Sequence, residues 1–137
     1  MDSKIVTAHL NSRVLCRIAP SKTHGVGVFA IRDIAEGEKL SLDVFPQPFK
    51  LSAEDFKSLN EEVREVILER NPTALSGSAF MYPDARQVAY MNHSEEPNYD
   101  AILDIAIKPI KKGEEITEDY RKISGWEKVF TWLVDKK

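Results

Sequence analysis

The loop at residues 90–98 carries side chains that could bind a ligand or orient a reacting group. Amides, an imidazole and a hydroxyl all form hydrogen bonds, and here they come from Asn92, His93, Ser94 and Asn98. Pro97 restricts the backbone where the loop returns. A loop that satisfies only its own backbone groups is the more ordinary use of such residues.

A second polar segment, residues 113–120, begins with a glycine turn and ends at Tyr120, whose phenol could also orient a reacting group. Between the two segments, apolar and polar residues mostly alternate over residues 99–108. A period of two predicts a strand with one face in the core. Such a strand would hold Tyr120 and the loop residues at a fixed separation.

Two glycines open an apolar segment earlier in the chain, as Gly25-Val26-Gly27. Their ordinary use is a turn or bulge at the start of a strand. The functional alternative is a close approach of the backbone to a ligand, which a Cβ would block. A third glycine and a following helix are missing, so the dinucleotide-binding fingerprint is excluded.

Three motifs resemble those of SET-domain protein-lysine methyltransferases, in the family's order. They are Lys22-Thr23-His24-Gly25-Val26-Gly27-Val28-Phe29-Ala30, Asn92-His93-Ser94 with Pro97-Asn98, and Gly113-Glu114-Glu115-Ile116-Thr117 with Asp119-Tyr120. The resemblance covers roughly residues 13–121. Many relatives carry cysteine-rich zinc segments beside the domain, whereas this sequence has Cys16 alone, so it resembles a small stand-alone SET protein.

The resemblance implies a mainly β fold with a helical insertion (α+β), the SET-domain β-clip fold. In this fold the C-terminal strand threads under a loop in a knot-like arrangement, which would bring the Asn92 loop against Tyr120. We expect a single SET domain over residues 1–137, with a core at about 13–121, a helical insert at about 52–72 and a C-terminal lid at about 122–137.

The resemblance also implies methyl transfer from S-adenosylmethionine to the side-chain amine of a lysine in a protein substrate. The Asn92 side chain would take the ammonium group of the cofactor, and the His93 backbone would bond the adenine edge. The methionine end of the cofactor would be cradled by the backbone of His24, Gly25, Val26 and Gly27.

Tyr120 would be the catalytic residue, placed where the methyl donor and the amine meet. Glu118 stands two residues before it, where several relatives have an aromatic residue that limits the number of methyl groups added. Together with Tyr82 and Tyr90, Glu118 is a candidate for the substrate channel.

Two alternative functions come from other classes. One is a catalytically degenerate SET-like module that binds a protein partner, although the motif residues are intact. The other is methylation of a small molecule, which the resemblance to enzymes with a lysine channel disfavours. No metal is expected, because His9, His24 and His93 are scattered in the sequence.

Composition sets broader limits. The 137 residues, of which 42% are hydrophobic and 30% charged, suit one ordinary globular domain. A net charge of −3 does not favour direct nucleic-acid binding, and a protein substrate with an accessible lysine, such as a basic or DNA-associated protein, suits it better. Without a spanning segment or a secretory leader, we expect no membrane association and an intracellular location, cytoplasmic or, in a eukaryote, nuclear.

Local patterns predict the elements of the first half. Strands are expected at residues 13–18, with Cys16 as a buried thiol, and at residues 39–44, where apolar residues alternate. Ser52 begins a capping-box-like sequence and Asn60 is a second expected cap, so residues 52–70 should be helical with an apolar stripe in the core. Residues 1–11 give no clear signal.

Two further patterns concern the corners and the C-terminus. The spacing Ile-x-x-Ile-x-x-Gly-Glu occurs at residues 31–38 and again at 107–114, which predicts two similarly built strand–turn–strand corners. Residues 124–134 read as a helix with one apolar side. We expect this segment, through Trp126, Phe130 and Trp132, to replace the missing zinc-bound tail as a cover of the cofactor and the lysine channel, with Trp126 as a cofactor contact, or else to pack on the core. Its apolar side is formed by Trp126, Val129, Phe130 and Leu133.

Overall fold

The computed structural model describes residues 2–42, 48–69, 71–77, 79–80 and 87–134. In chain order its helices and strands are α1 (Ser3–Arg13), β1 (Cys16–Pro20), β2 (Val26–Ala30), α2 (Ala53–Lys57), α3 (Glu61–Leu68), β3 (Asn92–His93), β4 (Tyr99–Asp100), β5 (Ile105–Ala106), β6 (Glu115–Glu118) and α4 (Trp126–Val129). Short 3-10 turns lie at Pro72–Ser76, Val88–Tyr90, Tyr120–Lys122 and Thr131–Leu133. Among the helices described, none combines the length and apolar character that a membrane crossing needs.

The chain divides into two compact units. The first comprises Met1–Arg17 and Leu40–Gln87, and the second comprises Ile18–Lys39 and Val88–Lys137. The motifs singled out for chemistry all belong to the second unit.

Helices dominate the first unit. Asp2 caps the N-terminus of α1, since its side chain accepts a hydrogen bond from the Lys4 N–H, and the helix buries Val6 and Leu10. The sequence predicted no element here, because two apolar residues one turn apart are a weak periodic signal.

The helices expected at residues 52–70 are present as α2 and α3. The Ser52 hydroxyl accepts from the Asp55 N–H at 3.0 Å, as the capping-box pattern predicted, whereas Asn60 makes no side-chain cap. The predicted stripe is buried at Leu59, Val63, Val66 and Ile67, while Arg70, also placed on it, lies outside the described residues. The insert therefore buries its apolar face in the core of the first unit.

The strand predicted at residues 39–44 is wrong for residues 39–42, which form no strand, and its remainder lies outside the described residues. Leu40 is buried as the alternation implied. The Ser41 carbonyl accepts from the Arg13 guanidinium at 2.9 Å. The alternation of apolar residues therefore predicted the burial of Leu40 correctly, but not the pairing of a strand.

The second unit contains a mixed sheet with the strand order β1-β2-β6-β3. This unit begins at Ile18, within β1. β2 and β6 are antiparallel, with Val28 opposite Ile116. β3 and β6 are parallel, with Asn92 opposite Thr117. The strand predicted at residues 13–18 begins later than expected, at Cys16, and ends at Pro20, and Cys16 is buried as predicted.

The two predicted corners pair with each other around an approximate twofold axis. Ile34 and Ile110 exchange hydrogen bonds at 2.7 and 2.8 Å. On one side the Gly37 N–H donates to the Ala106 carbonyl, and on the other the Gly113 N–H donates to the Ala30 carbonyl, at 2.7 and 2.8 Å. Both glycines have positive φ, +83° and +90°, which explains the repeated glycine.

The strand predicted over residues 99–108 is wrong. The segment is a tight hairpin of β4 and β5 in which Leu103, expected in the core, is 63% exposed. The Asp100 carboxylate accepts from the N–H groups of Ile102 and Leu103 at 2.9 and 3.0 Å, and Asp104 adopts φ +56°. Two aspartates that stabilise a turn thus outweighed the alternation.

The single helix predicted over residues 124–134 is also wrong. α4 ends at Val129, and a 3-10 turn follows after Phe130, whose φ of −102° and ψ of 61° break the helical path. Val129, expected on the buried side, is 71% exposed, whereas Leu133 is fully buried.

Candidate active site

Parallel pairing of β3 with β6 brings the polar loop and the tyrosine together. His93 lies opposite Glu118, and the Ser94 N–H donates to the Glu118 carbonyl at 2.9 Å. One step further, the Tyr120 N–H donates to Nδ1 of the His93 ring at 3.1 Å. The two groups are therefore held by direct strand contact, and not by the intervening strand that the sequence predicted.

A cavity of about 550 Å³ opens at this junction. It is lined by Thr23, His24, residues 92–95, Tyr120 and Trp132. Of the predicted site residues, His24, Asn92, His93 and Tyr120 meet here. Its volume lies within the usual range for small-molecule sites.

The remaining predicted residues lie around this cavity or away from it. Among the described residues, Gly25, Val26 and Gly27 follow His24 without lining the cavity, and neither Trp126 nor Tyr90 lines it. Tyr90 is 47% exposed and Glu118 is buried at 5% exposure. Tyr82 lies outside the described residues.

The Tyr120 hydroxyl is half-buried and donates a hydrogen bond to the Met91 carbonyl at 2.5 Å. Burial, together with the negative charges of Glu118 and Glu115, raises the pKa of Tyr120 above its usual value. The phenol is therefore neutral at physiological pH. Because its proton is engaged with Met91, its oxygen can act as an acceptor.

The His93 ring is buried, with a side-chain exposure of 6%. Its Nδ1 accepts from the Tyr120 N–H, which places the ring proton of the neutral form on Nε2. Nε2 has no hydrogen-bond partner among the described residues, and the nearest carboxylate oxygen, of Glu95, is 3.5 Å away. A buried donor beside a cavity is a feature that a bound ligand could satisfy.

The Asn92 amide links the cavity to the glycine segment. Its Nδ2 donates toward the carbonyls of His24 and Val26, at 3.2 and 3.0 Å, and toward the Glu115 carboxylate at 2.8 Å. A Cβ on Gly27 would lie 2.4 Å from that carboxylate. The second glycine is thus required by close packing of the Glu115 side chain, whereas the sequence suggested a turn or a close approach to a ligand.

Aromatic rings from the C-terminal segment lie against the residues that line the cavity. The Phe130 ring lies against the Tyr120 ring, with centroids 4.4 Å apart and an interplanar angle of 31°. The Trp132 ring meets His93 edge-on, with centroids 5.8 Å apart. Of the three aromatic residues expected to cover the site, Trp132 lines the cavity and Phe130 contacts a lining residue, whereas Trp126 does not line it.

Family comparison settles which group of proteins this arrangement belongs to. The SET domain family model matches residues 25–121. The chain belongs to the SET-domain family. All three motifs described above fall within or at the edge of that match, and so does the parallel pair β3–β6. No curated protein matches the sequence.

Solved structures of SET proteins are similar at low identity. The Neurospora SET domain protein DIM-5, a histone lysine methyltransferase, is 20% identical, with a TM-score of 0.40 over 79% of this chain and 53% of that one. Polycomb Repressive Complex 2 of Chaetomium thermophilum, bound to GSK126, is 21% identical, with a TM-score of 0.38 over 87% of this chain and 17% of that one. A second structure of that complex, bound to S-adenosylmethionine, is 21% identical, with a TM-score of 0.38 over 86% and 16%. The chain thus spans about half of the DIM-5 chain and less than a fifth of the Chaetomium chains.

Charged side chains lie beside Glu95, which lines the cavity of this SET domain. Arg121 forms hydrogen bonds to the Asp119 carboxylate at 2.8 and 2.9 Å and an ion pair with Glu95 at 2.8 Å. The bonds from Arg121 hold the pKa of Asp119 below its usual value. Among the described residues, no three His, Cys, Asp or Glu side chains group as metal ligands.

Sequence reasoning missed Glu115 in this SET domain. It was read as part of the closing motif, yet its carboxylate contacts both Asn92 and Ser21, at 2.8 Å each. The available signal was a charged residue inside a strand, one position before Ile116, which is fully buried. Its partners lie far away in sequence, so no local pattern could name them.

Proposed function

We propose that this SET domain transfers a methyl group from S-adenosylmethionine to the side-chain amine of a lysine in a protein substrate. The observation that carries the proposal is the meeting of Asn92, His93 and Tyr120 at one cavity, inside the segment that matches the family. Membership of the family supports the reaction, and the cavity supplies groups suited to it.

The residues around the cavity fit the proposed cofactor. The His24 carbonyl and the Asn92 side chain, both from residues that line the cavity, supply acceptors suited to an ammonium group. Nε2 of His93, which has no hydrogen-bond partner within the part of the chain that the structure describes, supplies a donor. The Trp132 ring, at the cavity wall, offers an apolar face to a purine. Of the aromatic residues expected to cover the cofactor, we assign the cofactor contact to Trp132 and not to Trp126.

S-adenosylmethionine, when bound, supplies an electrophilic sulfonium methyl group. Tyr120 serves the transfer by presenting its hydroxyl oxygen as an acceptor to the incoming amine, because its own proton is held by Met91. A neutral phenol is needed for that role, and the raised pKa of Tyr120 keeps it neutral. Phe130 lies on the Tyr120 ring and limits access of water to the reacting groups.

The finer parts of the prediction belong to this proposal. Tyr90, Tyr82 and Glu118 remain candidates for the substrate channel, and a negative charge at Glu118 would attract an approaching lysine. The substrate is a protein with an accessible lysine, with basic or DNA-associated proteins among the candidates, and the location is inside the cell. The proposal also includes a single domain, a knot-like threading of the C-terminal strand and a lid at about residues 122–137.

Two measurements on the full chain test this function. Titration calorimetry should show binding of S-adenosylmethionine, and transfer of a tritiated methyl group from it to proteins of a cell extract should label lysine, as located by mass spectrometry. Free lysine should be labelled far less. Absence of cofactor binding would favour a degenerate partner-binding module, and labelling of free amines alone would favour a small-molecule enzyme.

A further inference from the structure

Three acceptors surround the nitrogen of one amide beside the cavity. Nδ2 of Asn92 lies 2.8 Å from the Glu115 carboxylate, 3.0 Å from the Val26 carbonyl and 3.2 Å from the His24 carbonyl. An amide oxygen in that position would face three oxygens, so the orientation of the amide is fixed. Asn92 lines the cavity, and its oxygen is the atom left for a ligand.

Glu115 contributes most to this orientation. Its carboxylate is the charged member of the three acceptors and makes the shortest contact, and bonds to ionised groups are stronger than neutral ones. The carboxylate is itself fixed from two sides. The Ser21 hydroxyl donates to its other oxygen at 2.8 Å, and Gly27 leaves the space that a Cβ would fill at 2.4 Å.

We infer that Glu115 is a positioning residue, which holds the Asn92 amide with its oxygen toward the cavity and so selects ligands that carry an ammonium group. The inference rests on the proposed function, because S-adenosylmethionine bears such a group. A ligand carboxylate at the same place would meet the amide oxygen and the negative charge behind it. Glu115 therefore determines that this position accepts the ammonium group of an amino acid and not its carboxylate.

The alternative is that Glu115 only ties β6 to the loop before β2. In that case its loss would lower stability and weaken all ligands alike. The inferred role instead predicts a loss that depends on the ammonium group of the ligand. A comparison of two ligands that differ in this group alone separates these explanations.

The experiment measures two dissociation constants by calorimetry on the full chain. One ligand is S-adenosylhomocysteine, and the other is 5′-S-(3-carboxypropyl)-5′-thioadenosine, which is the same molecule without the amino group. The parent should prefer the first ligand by about tenfold or more, as expected for a hydrogen bond to a charged group. Glu115→Gln removes the charge at nearly constant size and should reduce this preference by about tenfold.

Two matched variants accompany it. Glu114→Gln makes the same chemical change one residue away, where the carboxylate accepts from the Lys111 N–H on the turn, and should keep the parental preference. Ser21→Ala removes one of the two bonds that fix the Glu115 carboxylate and should reduce the preference by a smaller factor. It preserves the test if Glu115→Gln does not fold.

The outcomes are distinct. If the parent binds neither ligand, the proposed function fails and the inference fails with it. If the parent binds the ammonium ligand more tightly and Glu115→Gln weakens both ligands equally, the inference alone is overturned. A preference that falls in Glu115→Gln and Ser21→Ala, but stays in Glu114→Gln, supports the positioning role.

Discussion

Removal of the Tyr120 hydroxyl is the most informative single change in this protein. Tyr120→Phe keeps the ring against Phe130 but leaves the Met91 carbonyl without its donor at 2.5 Å. A buried carbonyl that loses its partner costs about 1–2 kcal/mol of unfolding free energy, or about 3–7 °C in melting temperature for a chain of this size. A purely structural tyrosine would show this loss and no other.

A catalytic hydroxyl adds a loss in the transition state. If the oxygen orients the amine and the methyl donor, the activation free energy should rise by about 2.7 kcal/mol, and turnover should therefore fall roughly a hundredfold. Affinity for S-adenosylmethionine should fall much less, because the interaction matters most as the methyl group moves. Turnover is measured well below the melting temperature of the variant, with cofactor affinity measured separately by calorimetry.

Tyr99→Phe is the matched control. Tyr99 is fully buried, and its hydroxyl donates to the Asp104 carboxylate at 2.6 Å in the hairpin, without lining the cavity. It should lose a similar amount of stability and keep its turnover. A folded Tyr120→Phe protein with turnover within about threefold of the parent, a barrier change of only about 0.65 kcal/mol, would refute the catalytic role.

Three further changes test the cofactor site and the fold. Asn92→Ala should weaken S-adenosylmethionine binding by about 1.5–3 kcal/mol, since a charge-assisted hydrogen bond is lost; an unchanged dissociation constant in a folded variant would contradict this. Trp132→Ala should lower cofactor affinity with little change in melting temperature, because the ring is 53% exposed. A larger loss of cofactor affinity in Trp126→Ala would instead support Trp126 as the cofactor contact, as predicted from the sequence. Asp100→Asn should cost about 1 kcal/mol at neutral pH. The hydrogen bond from Lys122 holds the pKa of Asp100 below its usual value, so this difference should persist above about pH 4 and vanish as the pH falls further, as measured by denaturant unfolding at several pH values.

Sequence patterns predicted those parts of the fold that short-range chemistry decides. The Ser52 cap depends on a residue three positions away. The two corners depend on glycines with positive φ. The same sequence pattern around Ile34 and around Ile110 predicted that the two corners are built alike. The buried state of Cys16 follows from its apolar neighbours.

The patterns failed where contacts distant in sequence or side-chain turns decide. Alternation over residues 99–108 predicted a strand, but the Asp100 carboxylate stabilises a turn two residues later. The parallel pairing that joins His93 to Glu118 leaves no local trace. Only the family motifs pointed to the contact between the loop and Tyr120, and they gave no hint that Glu115 stands behind it.

The C-terminal segment shows why two predictions from one pattern need not exclude each other. Packing on the core and covering the site were treated as alternatives, yet one residue of the segment is buried in the core while another lines the cavity. Leu133 is fully buried, while its neighbour Trp132 is half exposed and lines the cavity. Truncation after Ile123 would remove both residues at once, so a loss of activity could follow from either. Substitution of Trp132 alone separates them, because the buried leucine that stabilises the fold then stays in place.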